Sequence, residues 1–291
     1  MQHTVLIKTP SNFDFRATVY SHGWSELKPF ELDEETWRLR YVFSDGKNVV
    51  EGVIHEQDGC LSVDLDPASI PDESIVADTR HILRLDEDLG EFYSSVSAHE
   101  QLCWIAAKRA GRLVRSPTVW EDLVKTMCTT NCSWGLTKSM VSNLVEKLGH
   151  GHIRKAFPTA DAMASVDEGF YRNEIRAGYR SPYFVELAQA VASGKLDPQS
   201  WLTSDLPTDD LKKDMKKVKG VGDYAAENLL KLVGRYDGLA LDSFLRSQFY
   251  KTHNKEKPCP DKKIERHYKK FGKWRGLVMW CDLTERWSTL F

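Results

Sequence analysis

Along the first 70 residues apolar and polar side chains alternate with a period of two. The pattern is clearest in Trp37-Arg38-Leu39-Arg40-Tyr41-Val42-Phe43, in Val49 to His55 and in Cys60 to Leu65. Successive side chains of a strand point to opposite faces, so this alternation predicts strands with one buried face. Asp45-Gly46 and Asp58-Gly59 lie between the segments. Such pairs favour the positive φ of tight hairpin turns, and a small antiparallel sheet is expected. Beyond Pro71 the apolar spacing lengthens to three or four residues: Val119, Trp120, Leu123, Val124 and Met127, then Met140, Val141, Leu144, Val145 and Leu148, then Phe184, Leu187, Ala188 and Val191. That is the period of amphipathic helices. Ser116-Pro117 and Ser181-Pro182 are expected helix starts, Gly149 and Gly194 expected stops. No repeat of fixed period and no low-complexity linker interrupts the chain. The expected fold class is therefore α+β, a small N-terminal antiparallel β-sheet domain (residues 1–84) packed on a mainly α-helical body (residues 85–291).

Composition narrows the function classes. With 291 residues, 41% apolar and 28% charged, the chain can bury a sizeable core. No apolar run approaches the roughly 20 residues that a bilayer span requires, and Met1 to Pro10 lacks a basic stretch followed by an apolar one. No membrane partner is expected. The cysteines Cys60, Cys103, Cys128, Cys132, Cys259 and Cys281 are far apart except for Cys128 and Cys132, which lack further ligands at suitable spacing. Free thiols in a reducing compartment and no metal site are expected. The net charge is −2, but it is uneven: Leu211 to Arg275 holds 18 Lys and Arg against 8 Asp and Glu, leaving 22 against 34 elsewhere. A chain with one face turned to nucleic acid would show such asymmetry.

Leu211 to Leu230 carries the most information. Leu211, Met215 and Val218 share one face of a short helix, and Ala226, Leu229, Leu230 and Val233 share a face of a second that begins near Asp223. Gly220-Val221-Gly222 joins them in a tight turn, giving a helical hairpin over about residues 209–234. Two glycines flanking one apolar residue let backbone N–H groups point outward together at a helix start, where the dipole favours an anion. Lys212, Lys213, Lys216, Lys217 and Lys219 precede the turn. A DNA phosphate can be held there without reading sequence. Farther on, Asp242 in Leu241-Asp242-Ser243-Phe244-Leu245-Arg246 stands where the loop containing Gly234 and Gly238 meets a new helix. Its carboxylate is expected at or near the N-cap, held rigidly and facing outward.

This stretch resembles the helix-hairpin-helix, the Gly/Pro-rich loop and the aspartate of the helix-hairpin-helix (HhH-GPD) DNA glycosylase superfamily. It is similar in particular to the 3-methyladenine and 8-oxoguanine DNA glycosylases. The resemblance implies a base excision repair enzyme. Such an enzyme flips an alkylated, oxidised or mispaired base from duplex DNA and hydrolyses its N-glycosidic bond, with Asp242 as catalytic carboxylate on a loop and helix over about 235–250. Strand-cutting relatives carry a lysine at the position matching Tyr224. A tyrosine cannot form a Schiff base, which implies a monofunctional enzyme in which water attacks the sugar. Tyr224, Asn228 and Trp280 are the implied base-pocket residues. Lys216, Lys217, Lys219, Gly220, Val221 and Gly222 are the implied phosphate contacts. Arg176 to Tyr183 is similar to the segment by which 8-oxoguanine glycosylases enter the helix, with Tyr179 as intercalating wedge and Arg180 as contact to the orphaned partner base. Asn131 approximates the polar residue inserted from the opposite side. Phe13-Asp14-Phe15 with Ser21-His22-Gly23-Trp24 is like the entrance of the family's amino-terminal sheet domain.

The implied partner is double-stranded DNA with a damaged or mismatched base, bound by a monomer at the nucleoid of a bacterium or in the nucleus of a eukaryote. No cofactor is expected. Only Cys259 and Cys281 follow the hairpin, too few for the family's optional iron–sulfur loop, although the hairpin leaves room for a structural monovalent cation. Two other readings stand beside this one: a bifunctional glycosylase/AP lyase using an unusual lysine, and a non-catalytic helix-hairpin-helix protein that binds DNA structure. A cationic alkylated purine leaves readily from an aromatic pocket. A neutral oxidised or deaminated base needs hydrogen-bond donors at its edge, and the sequence names none.

Overall fold

The computed structural model describes residues 3–66 and 69–290; Met1, Gln2, Pro67, Ala68 and Phe291 lie outside the described residues. Five antiparallel strands, β1 (His3–Lys8), β2 (Glu31–Asp33), β3 (Arg38–Ser44), β4 (Val49–Gln57) and β5 (Cys60–Asp66), form one sheet in the order β1-β5-β4-β3-β2. Asp58 and Gly59 both take positive φ, +50° and +77°, which lets β4 turn directly into β5 with Gln57 opposite Cys60. The other hairpin closes on an aspartate turn, in which Asp45 accepts the N–H groups of Lys47 and Asn48 at 2.8 and 2.7 Å. The edge strands β1 and β2 add to the three central strands that the alternation marks.

One face of the sheet is buried. Leu39, Tyr41 and Phe43 on β3, Val50 and Ile54 on β4, and Leu61, Val63 and Leu65 on β5 share a core with residues of the helical body from Val114 to Val233. A second core joins Leu89 to Leu113 with Tyr236 to Leu283. The expected helices form, with shifted caps. Thr118 rather than Ser116 caps the Val119–Thr129 helix, and Arg180 occupies the N-cap of the Ser181–Ala192 helix. Gly149 is a C-cap as expected. None of the described helices is long and apolar enough to cross a membrane.

The Val119–Thr129 helix buries more than its apolar stripe. Lys125 and Glu121 pair at 2.6 Å inside the core, and Tyr41 donates to Glu121 at 2.8 Å. Next to them Asp122 accepts from Trp24 Nε1 at 2.7 Å and from the Ser116 N–H at 2.9 Å. Burial pushes the Asp122 carboxyl up to about 6. These bonds tie the loop carrying His22 and Trp24 to the helical body.

Candidate active site

The hairpin comprises the Thr208–Met215 helix, a turn and the Asp223–Leu232 helix. Leu211, Met215, Val218, Ala226, Leu229, Leu230 and Val233 are all buried. The two turn glycines have different reasons. Gly220 has φ +90°, and a Cβ there would stand 2.9 Å from the Tyr183 ring and 3.0 Å from Met127 Cε. Gly222 caps the second helix at φ −89°, and a Cβ there would meet nothing within 4 Å. The space before this helix N-terminus is open, as an arriving anion requires. The surrounding lysines already have carboxylates: Lys216 meets Asp223 at 3.0 Å, Lys217 meets Asp214 at 2.9 Å and Lys219 meets Glu186 at 2.7 Å. Such exposed pairs are worth little, so the ammonium groups can exchange these partners for phosphate.

The second hairpin helix holds the loop that follows it. Buried Arg84 donates to the carbonyls of Lys231 and Leu232, both at 2.7 Å, and Arg115 donates to Leu232 O at 2.9 Å. The last turn's free acceptors are thereby satisfied. From the same helix Glu227 accepts the Ala240 N–H, while Lys231 Nζ donates to Leu239 O at 3.0 Å. Gly276 presses the loop from the other side; its N–H donates to Tyr236 O at 2.7 Å, and a Cβ there would collide with the Gly238 carbonyl at 1.9 Å. The clamped loop delivers Asp242 to the N-cap of the Ser243–His253 helix, where it accepts the Leu245 N–H at 2.7 Å.

A cavity of about 1530 Å³ opens along the seam between the two cores. Its wall includes Asp242, Tyr224, Asn228 and Trp280, and its rim includes Lys216, Lys217, Lys219 and the Gly220-Val221-Gly222 turn. Asn131 and Tyr179 reach the same rim. Burial, and next the Asp242 charge, raise the Tyr224 hydroxyl pKa. Asn228 donates back to the Tyr224 carbonyl at 2.9 Å. Trp280 is fixed by its Nε1 bond to Ser21 O at 2.9 Å, with the His22 ring edge-on at 6.3 Å. His22 Nε2 lies 2.7 Å from Val114 O, so that nitrogen carries the proton, and burial lowers the imidazole to about 3. His22 is therefore a neutral ring whose Nδ1 is an acceptor.

Tyr179 is 49% exposed, and its hydroxyl accepts from Asn131 Nδ2 at 3.3 Å. Arg180 departs from its expected place at an orphaned base. It is 4% exposed, with Nε 3.1 Å from both Met127 O and Thr130 Oγ1 and Nη2 on Thr130 O. In this conformation it holds the Thr130-Asn131 turn from beneath and backs the Tyr179 ring at 4.6 Å. Charge alone did not distinguish an outward guanidinium from one that satisfies buried carbonyls.

Among the wall residues that the sequence does not assign to the pocket are His22 and Lys231. His22 belongs to the sheet-domain segment Ser21-His22-Gly23-Trp24, which by itself gives it no role. Lys231 is 3% exposed and lines the cavity two turns beyond Tyr224 on the same helix face. A lysine inside Leu229-Leu230-Lys231-Leu232-Val233 is the available signal, since a charged group in an apolar run is buried only with a partner. The cysteine pair is structural in character: Cys132 Sγ donates to Cys128 O at 3.0 Å, and burial pushes the Cys128 thiol up to about 12.

No protein-family model matches the chain. The N-glycosylase/DNA lyase of Saccharomyces cerevisiae is 22% identical over 170 residues, covering 54% of this chain and 45% of the yeast protein. The match thus spans less than half of that relative's length. Among solved structures, MBOgg1 in complex with a low-affinity DNA ligand superposes with a TM-score of 0.77 at 20% identity, over 97% of this chain and 96% of that one. The 8-oxoguanine glycosylase/lyase of Clostridium acetobutylicum, in complex with double-stranded DNA containing cytosine opposite 8-oxoguanine, gives 0.75 at 19% identity, over 99% and 98%. The 3-methyladenine DNA glycosylase of Archaeoglobus fulgidus gives 0.75 at 16% identity, over 98% of both chains. From the sheet through the hairpin to the last helices, this chain has the fold of the 8-oxoguanine and 3-methyladenine DNA glycosylases.

Proposed function

We propose that this chain is a base excision repair DNA glycosylase that flips an abnormal base out of duplex DNA and hydrolyses its bond to the sugar. One observation carries the reading: a single cavity has a helix-hairpin-helix at its rim and a rigidly capped carboxylate, Asp242, in its wall. The name of the yeast relative and those of the solved structures that share this fold support it.

The open N-terminus at Gly222 receives a backbone phosphate and sets the register of the duplex. Tyr179 and Asn131 enter the stack, offsetting part of the few kcal/mol that extrusion costs. The base passes into the cavity against Trp280. As the glycosidic bond lengthens, positive charge grows on the sugar, and the Asp242 oxygen not bonded to Leu245 faces that charge. Water adds its hydroxyl to the anomeric carbon, and its proton leaves with the base. The reaction needs no cofactor. Double-stranded DNA containing a damaged or mismatched base is the partner, and a monomer acting at the nucleoid or in the nucleus suffices.

Hydrolysis without strand cleavage follows from Tyr224, whose phenol cannot form an imine at the hairpin position. A glycosylase/lyase reading draws on the names of two relatives and on the Lys231 amine in the cavity wall. A panel of duplexes, each with one lesion, separates the readings. Hydrolysis alone gives strand breaks only after alkali and no adduct with borohydride. Equal breakage without alkali, together with a borohydride-trapped adduct lost in Lys231→Met, establishes the lyase. Excision from none of the duplexes overturns the glycosylase reading.

A further inference from the structure

Lys231 is a buried cation in the wall of the cavity. Two relationships fix where its ammonium stands, and a third fixes its charge. First, it lies seven residues beyond Tyr224, on the same helix face. At 1.5 Å per residue that is roughly 10 Å farther along the helix than Tyr224 from the phosphate-binding end, on the side where a base would lie beyond its sugar. Second, the Trp280 ring lies 5.9 Å from Nζ, so the ammonium borders the surface against which a base would rest. Third, the charges of Glu227 and Asp242 favour the ammonium, while burial lowers it to about 8. It remains mostly charged at neutral pH.

An ammonium has three donors. One goes to Leu239 O at 3.0 Å. As a clamp for the loop this single bond needs only a neutral donor, and Glu227 already holds the adjacent Ala240 N–H. A buried charge is a costly way to make it. The charge has a use if the cavity receives an acceptor.

We propose that Lys231 Nζ donates to a carbonyl oxygen on the far edge of the extruded base, making it a specificity-determining residue that favours neutral keto bases over cationic alkylated ones. This rests on the glycosylase reading above and names the substrate class of the same site. A keto oxygen gains a charge-assisted hydrogen bond in a desolvated pocket. A base that already carries positive charge meets a like charge there. His22 lines the same wall as a neutral ring and so adds no second positive charge there. The depth that suits base recognition also separates the amine from the sugar carbon, which lies nearer Tyr224 and the hairpin.

The test measures single-turnover release of hypoxanthine and 8-oxoguanine against 7-methylguanine and 3-methyladenine, using the full chain and its Lys231→Met and Lys231→Arg variants. Wild type should prefer the keto bases. Lys231→Met should lower the keto-to-alkyl ratio by about tenfold to a hundredfold, and Lys231→Arg should restore part of it. Equal loss on all four bases would reduce Lys231 to a loop clamp, and wild-type preference for the cationic bases would overturn the proposal outright. If wild type releases nothing, the glycosylase reading fails by itself. The Lys231 assignment is then decided by affinity for uncleavable 2′-fluoroarabino duplexes carrying hypoxanthine or 7-methylguanine, and it falls if their ratio is the same in wild type and Lys231→Met.

Discussion

Asp242 accepts the Leu245 N–H through Oδ1 at 2.7 Å, so one carboxylate oxygen fixes the residue at the start of its helix and the other is left for chemistry. Asp242→Asn separates these functions, because its side-chain carbonyl can still cap. The variant should fold, bind lesion DNA with near-normal affinity and lose about a hundredfold or more in single-turnover excision, as removal of a preorganised stabiliser costs on the order of 3 kcal/mol. A near-normal rate would remove Asp242 from the chemistry.

The two hairpin glycines should respond differently. Gly220→Val combines φ +90° with contacts of 2.9 and 3.0 Å to Tyr183 and Met127, and should lower stability by about 1–3 kcal/mol. Gly222→Ala meets no such contact and should leave the melting temperature near wild type. Its methyl stands at the open helix N-terminus, so it should weaken binding to damaged and undamaged duplexes alike. Unchanged affinity in a folded Gly222→Ala would place the phosphate elsewhere.

Lys219 reaches Glu186 at 2.7 Å in the free protein. Lys219→Glu should weaken binding to any duplex and reduce the slope of log affinity against log salt by about one phosphate contact. An unchanged slope would show that the ammonium stays with Glu186 when DNA binds.

Tyr179 is tethered to Asn131 at 3.3 Å across the mouth of the cavity. If the pair fills the gap that a flipped base leaves, Tyr179→Ala should slow excision most from firmly paired sites and least from mismatches, since opening cost decides how much the wedge matters. Equal losses on both would indicate a packing role against Tyr183, whose ring lies 6.3 Å away.

Lys231 should cost the fold stability. Burial holds its ammonium at about 8, below the ordinary 10.5, so between these values the unfolded chain binds the proton more tightly and native stability rises with pH. Below about pH 8 the native state carries the full cost of roughly 3 kcal/mol. Lys231→Met removes that cost and also the bond to Leu239 O, itself worth about 1 kcal/mol. Denaturant unfolding should find the variant more stable by about 1–2 kcal/mol at pH 7, with the difference shrinking above pH 8. A variant destabilised equally at pH 7 and pH 10 would refute a charged Lys231.

Alternation around Asp45-Gly46 and Asp58-Gly59 determined the three central strands of the sheet, and apolar spacing with Gly220-Val221-Gly222 determined the hairpin, because both signals are local: a two-residue or a 3.6-residue period and a few turn residues with special φ. Asp242 was legible for the same reason, as an acceptor directly ahead of the N–H groups it caps. Depth was not legible. Lys219 and Lys231 have the same side chain on one hairpin, yet one is exposed and the other is buried in the cavity wall. The sequence reading makes Arg180 a DNA contact, whereas it stands under the Thr130-Asn131 turn, because the Met127 and Thr130 carbonyls that draw it there lie some 50 positions away. His22 became part of the pocket only when Trp24 met Asp122 across 98 positions. Whether a charged group faces water, a carbonyl or a ligand depends on which distant segments enclose it, and that enclosure is a property of the packed chain rather than of any local pattern.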